Sequence, residues 1–198
     1  MPGGSPTSIV AQPRVHELLD SLHELSAAQE NALSQRWFYL RRLVKFLLFG
    51  QSWSEASDIH MQDKLVALDA DKCQFMYLLA RSMGIRNAVE AGTSNGVSTI
   101  YLALAIGQNV QQLRTSLGDN NVTGKVIATE KEASKAAKAK ENWKQAGSEV
   151  EPWIELREGN LLSTLKDMDN LPNPIDLLLL DSMFYGSSFL NYHSESLY

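Results

Sequence analysis

The segment from Asn87 to Ile106, NAVEAGTSNGVSTIYLALAI, constrains this chain more than any other. An apolar run at Ala88 and Val89 leads into Glu90-Ala91-Gly92-Thr93-Ser94-Asn95-Gly96-Val97-Ser98. A helical apolar pattern then runs through Ile100, Leu102, Leu104 and Ile106. The reading is strand, glycine turn, helix, with the helix stopping at Gly107. Glycine lets the backbone turn sharply and approach a ligand with no Cβ in the way, and a helix start presents unpaired N–H groups. A strand-to-helix turn with no ligand shares this outline, so the remaining segments decide what the turn is for.

Those segments read as alternating helices and strands. Pro13 to about Ser34 is predicted as an amphipathic helix with Leu18, Leu22, Leu25 and Leu33 near one face. A second helix is expected from Gln35 to Phe49, with Trp37, Leu40, Val44, Leu47 and Leu48 as its stripe. Arg41, Arg42 and Lys45 interrupt that stripe, which is also too short for the ~20 residues of a bilayer span. In the polar connector from Gln51 to Met61, His60 is expected to be a solvated loop residue rather than a metal ligand. A third helix is predicted over Asp71–Met83, burying Phe75, Leu78, Leu79 and Met83, with Asp69 as N-cap and Gly84 after its end. Gln108 to Gly124 reads as a polar surface insertion. Lys125–Thr129 is a strand closed by Glu130, and Glu132–Ala146 an Ala- and Lys-rich helix stopped by Gly147. Trp153–Arg157 is the next strand, and Leu161–Leu165 a short helix with Asn160 as N-cap. Ile175–Asp181 is a last strand whose continuous apolar run predicts burial on both faces of a parallel sheet.

Composition narrows the function classes. Of the 198 residues, 44% are hydrophobic and 21% charged, which suits a packed domain rather than a disordered chain. The 18 basic against 23 acidic residues leave a net charge of −5, so no general basic field exists to gather nucleic acid. Cys73 is the single cysteine, which rules out an intramolecular disulfide or a cysteine-built zinc site and suits a reducing, cytoplasmic setting. The first residues, Met1-Pro2-Gly3-Gly4-Ser5-Pro6-Thr7-Ser8, lack the charged start and apolar core of a signal peptide and read as a frayed tail.

The spacing Glu90-x-Gly92-x-x-x-Gly96-x-Ser98 differs from the dinucleotide fingerprint G-x-G-x-x-G, which counts against a nicotinamide-dependent enzyme. It resembles the first motif of S-adenosylmethionine-dependent methyltransferases, specifically the catechol O-methyltransferase-like family. The resemblance implies a Rossmann-like α/β fold, a parallel sheet flanked by helices, with helices added at the N-terminus. It implies that Glu90 and Ser98 contact the cofactor, the carboxylate pairing with the cationic methionine amino group. Gly92, Ser94 and Gly96 would complete the methionine end, with the backbone of Leu68 lying over it. Glu130, closing the second strand, would accept both ribose hydroxyl hydrogens. Its distance from Gly92 exceeds the usual ~20 residues, and the insertion is taken to explain the excess. Asn160 would hydrogen-bond adenine, having both a donor and an acceptor. Asp181 would ligate a divalent metal, usually Mg²⁺, beside the hydroxyl of a small acceptor.

The motif resemblance runs from about Leu65 to Asp181 and then breaks. Where the family carries a lysine base this chain has Phe184, and the Asp-Asn pair that completes the metal site is missing, so no catalytic residue is assigned. The expectation is a truncated form lacking the C-terminal strands. Its parts would be a disordered tail (1–12), an N-terminal helical segment (13–62), a cofactor-binding α/β domain (63–181) and an atypical tail (182–198). The expected activity is O-methyl transfer to a small hydroxylated acceptor, with the N-terminal helices as a homodimer surface. The alternative is a non-catalytic relative that holds the cofactor or dimerises with an intact enzyme.

Overall fold

A computed structural model describes residues 7–30, 67–166 and 170–181. The predicted helix over 35–49, the connector with His60 and the tail after Asp181 lie outside the described residues. Four strands form one parallel sheet in the order β3-β2-β1-β4: β1 Asn87–Ala91, β2 Lys125–Glu130, β3 Ile154–Glu158 and β4 Leu177–Leu180. The register pairs Ala91 with Thr129 and with Leu180, and Glu130 with Glu158, so all four carboxyl ends share one edge. Strand order reverses beside β1, where the chain leaves for β2 on one side while β4 lies on the other. Ligands in open α/β sheets bind in the crevice at such a reversal.

The helices are α1 Pro13–Glu30, α2 Ala70–Ser82, α3 Val97–Leu117, α4 Ala133–Ala146 and the single-turn α5 Leu161–Thr164. The core joins α1, α2, α3 and α4 to the inner strands β1 and β2, and includes Val15, Leu19, Tyr77, Ile100, Leu104, Val126 and Ala139. At about 25 cal/mol per Å² of apolar surface, burial of this kind supplies the main stabilisation of the sheet–helix layers.

Several expectations change here. In α1 the buried positions are Val15, Leu19, Leu22 and Ser26, and Leu25 is exposed, so the stripe is rotated from the predicted one. In α2 the predicted face is inverted: Cys73, Met76, Tyr77 and Ala80 are buried, whereas Phe75, Leu78, Leu79 and Met83 face outward. This helix is apolar on two sides, and the side carrying Cys73, Met76, Tyr77 and Ala80 is the one packed into the core. Asp69 does stand at the N-cap position, but its side chain caps no N–H and pairs with Lys72 at 2.6 Å instead.

The helix after the glycine turn does not stop at Gly107. It runs 21 residues to Leu117 and ends at Gly118 in the left-handed region (φ 65°). A Cβ on Gly107 would meet the Trp153 indole nitrogen at 2.5 Å. The indole packs directly on the helix backbone, which offsets the ~1 kcal/mol that glycine costs within a helix. The supposed insertion is therefore mostly helix, and helix length explains the long interval to Glu130.

Residues 7–12, expected to belong to the frayed tail, dock on the domain. Ile9 is buried, and the N–H of Val10 donates to Tyr77 Oη at 3.3 Å. Finally, β4 is not covered on both sides: Leu178 and Leu180 are 56% and 60% exposed. Its place at the sheet edge among the described strands, not its composition, sets that exposure.

Candidate active site: the glycine turn and the carboxyl edge of the sheet

The turn after β1 alternates left-handed positions: Gly92 at φ 92°, Ser94 at φ 50° and Gly96 at φ 79°. Glycine accepts that geometry freely, whereas serine pays roughly 1 kcal/mol for it. A strained non-glycine residue of this kind persists only where its surroundings over-determine it. Three sets of contacts do so here.

The first lies beneath the turn. Glu90 is fully buried, and its carboxylate accepts three side-chain hydroxyls. Ser98 Oγ donates to Oε1 at 2.5 Å. Thr93 Oγ1 donates to Oε2 at 2.6 Å, as does the Thr99 hydroxyl. Burial raises the Glu90 pKa above the ordinary carboxylate value, and the Ser98, Thr93 and Thr99 hydroxyls pull it back in part. Thr129 adds a strut from β2: its carbonyl accepts the N–H groups of Gly92 and Thr93 at 3.2 and 2.8 Å, and its hydroxyl donates to the Glu90 carbonyl.

The second set comes from α4. Asn142 Nδ2 donates to the Asn95 carbonyl at 2.9 Å, and Trp143 Nε1 donates to the Gly96 carbonyl at 3.0 Å. The indole also fills the space beside Gly96, where a Cβ would meet Nε1 at 2.3 Å. The sequence reading missed this pair. Their signal was that Asn142 and Trp143 interrupt a helix otherwise built of Ala, Lys, Ser, Glu and Gln.

The third set is Glu130. Its Oε2 accepts the Ser94 N–H at 2.8 Å and its Oε1 accepts the Glu132 N–H at 2.8 Å. The acid that closes β2 is thus joined to the apex of the turn. The Glu130 carbonyl accepts the Gly159 N–H at 2.8 Å, which brings the end of β3 and Asn160 to the same edge. The Asn160 carbonyl accepts the N–H groups of Ser163 and Thr164, as expected of a residue starting the α5 turn.

Glu90, Gly92, Ser94, Gly96, Ser98, Glu130 and Asn160 therefore lie together at one edge of the sheet. Leu68 precedes α2, packs against the core, and its carbonyl accepts the Cys73 thiol at 3.4 Å. Burial pushes that thiol up to about 12, so it stays protonated near neutral pH. Asp181 lies on the same edge past β4, its N–H donating to the Ala91 carbonyl at 3.0 Å. Loss of surrounding water raises its carboxyl above the ordinary range, with Lys72 acting in the opposite sense.

Among the described residues, Ser94 Oγ is the one buried side-chain polar atom without a hydrogen-bond partner. Buried hydroxyls are normally satisfied, so an unpaired one at the apex of a strained turn fits a ligand that supplies a polar group. For a metal the fit is poor: no group of three or more His, Cys, Asp or Glu gathers among the described residues, and Asp181 is a single carboxylate. No helix among them is long and apolar enough to cross a membrane.

Comparison with known proteins agrees with this geometry. Catechol O-methyltransferase of Mycobacterium tuberculosis is 30% identical over 117 residues, covering 59% of this chain and 45% of that protein. The chain thus spans less than half the length of this curated relative. Among crystal structures, a Klebsiella pneumoniae protein assigned to the O-methyltransferases superposes with a TM-score of 0.52 at 22% identity, over 88% of this chain and 56% of that one. The O-methyltransferase TomG of Streptomyces achromogenes, in complex with S-adenosylmethionine, superposes with a TM-score of 0.50 at 24% identity, over 82% and 67%. These likenesses establish the Rossmann-like fold. A methyltransferase-domain family matches residues 89–196, more than half of the chain and on past Asp181, where the motif resemblance ended. The parallel sheet, the glycine turn and that match together make this chain a member of the methyltransferase-domain family.

Proposed function

We propose that this chain binds S-adenosylmethionine at the turn between β1 and α3 and transfers its methyl group to a hydroxyl of a small acceptor. The observation that carries the reading is the unpaired, buried Ser94 hydroxyl in a turn already fixed by Glu90, Asn142, Trp143 and Glu130. Such a site is organised before ligand arrives, which lowers the ordering cost of binding.

In this reading Gly92, Ser94, Gly96 and Ser98 form the methionine end above Glu90, with Leu68 flanking it. Glu130 offers its remaining acceptor capacity to the ribose hydroxyls, and Asn160 reads adenine. When bound, the cofactor supplies an electrophilic methyl group on a sulfonium. The chain's part is to hold that group in a fixed place, because orientation contributes much of the rate in a bimolecular transfer. The α/β domain over 63–181 is the cofactor-binding unit, following the helical segment 13–62 that is the homodimer candidate. The free Cys73 suits the reducing cytoplasm. Asp181 is the metal-ligand candidate of the family resemblance, and the described residues do not complete a Mg²⁺ site around it.

The test is calorimetric titration with S-adenosylhomocysteine, followed by transfer of a labelled methyl group from S-adenosylmethionine to a catechol. Micromolar binding with turnover is expected; undetectable binding overturns the proposal. Binding without turnover would favour the second reading, a cofactor-holding relative that docks on another chain, which the exposed Leu178 and Leu180 favour.

A further inference from the structure

The family role expected of Glu90 is a direct ion pair with the cofactor's amino group. The surroundings of this residue point elsewhere. Glu90 has no exposed surface, so a ligand in the crevice has no side-chain atom of it to touch. Its carboxylate already accepts three hydroxyls, and each donor anchors a different part of the turn. Thr93 is the residue after Gly92, Ser98 lies in the first turn of α3, and Thr99 follows it. The Thr93 and Thr99 hydroxyl oxygens also lie side by side, so the two donors converge on the same carboxylate oxygen. A carboxylate has about four acceptor sites in all, and three are committed within the chain.

Resting on the cofactor reading above, we propose that Glu90 is a positioning residue: it ties the glycine turn to the start of α3 through Thr93, Ser98 and Thr99, and it does not pair with the amino group of the bound cofactor. Recognition of the amino-acid end then belongs to groups above it, with the unpaired Ser94 hydroxyl foremost.

Two ligands separate a tie from an ion pair. S-adenosylhomocysteine carries the ammonium, whereas 5′-methylthioadenosine keeps the adenosine and sulfur but lacks the amino-acid end. Glu90→Gln removes the charge and keeps the shape, with a donating amide nitrogen in place of one accepting oxygen. Thr99→Val keeps the charge and removes one strand of the tie. Dissociation constants for both ligands are measured by calorimetry on wild type and both variants, with thermal melts to confirm folding.

The expected result is that Glu90→Gln changes both affinities by the same factor, and that Thr99→Val weakens both about fivefold, the worth of one hydrogen bond. If Glu90→Gln weakens S-adenosylhomocysteine tenfold or more and leaves 5′-methylthioadenosine unchanged, Glu90 pairs with the ammonium and the proposal falls. It also falls if Thr99→Val alters neither affinity. Should wild type bind neither ligand, the cofactor reading itself fails. If Glu90→Gln does not fold, Thr99→Val decides between the outcomes alone.

Discussion

The two ends of the crevice are built differently. On the β1 side every turn residue is held: Glu90 from below, Asn142 and Trp143 from α4, and Glu130 from β2. On the β4 side Asp181 is tied by one backbone hydrogen bond to Ala91, and the strand before it shows Leu178 and Leu180 to the outside. Tight anchoring of one end concentrates rigidity where a common cofactor would sit. Among the described residues, the β4 end rests on far fewer contacts.

The largest test of this contrast is Gly96→Ala. The left-handed φ and the overlap with the Trp143 indole together should cost about 2–4 kcal/mol, read as a fall in denaturant midpoint. Pairing it with Trp143→Phe, which removes the overlapping ring, should recover part of the loss. Full additivity would mean that the indole does not brace the turn. Trp143→Phe alone forfeits one buried hydrogen bond to Gly96 and should cost about 1–3 kcal/mol, with weaker S-adenosylhomocysteine binding.

A smaller effect tests the core that supports the braced end. His23 on α1 bonds to Tyr101 of α3 at 3.0 Å. Burial lowers its pKa below 6.5, against the opposing pull of Asp20 and Asp69. As pH falls through 6.5 the unfolded chain takes up a proton that the folded imidazole resists, so stability declines on the acid side. His23→Gln should flatten that limb of a melting-temperature profile. Smallest of all, Leu180→Ser on the open side should change stability by less than about 0.5 kcal/mol, as exposed substitutions do. A loss of 2 kcal/mol would mean that this face is covered in solution and would erase the contrast.

Much of the braced end was readable from local pattern. Gly92 and Gly96 mark backbone that a side chain would obstruct, and Glu130 follows a five-residue apolar-to-polar strand run. The errors arise where packing overrides pattern. Gly107 looks like a helix stop until Trp153 is known to lie on it. In α2, Phe75 and Leu79 look like core residues, but the side carrying Cys73 and Ala80 is the one packed into the core. Asn142 and Trp143 act across 47 residues of sequence, a reach that no local window contains. The apolar run of β4 carries no mark of which strands flank it, so its exposure could not be read in advance.

The length of α3 has a practical corollary. At about 1.5 Å per residue, its 21 residues carry the chain some 30 Å from the glycine turn before Gly118 reverses it. The exposed bend at Asp119, Asn120 and Asn121 therefore offers a remote handle, where a dye, an affinity tag or a surface linker can be attached without crowding the crevice.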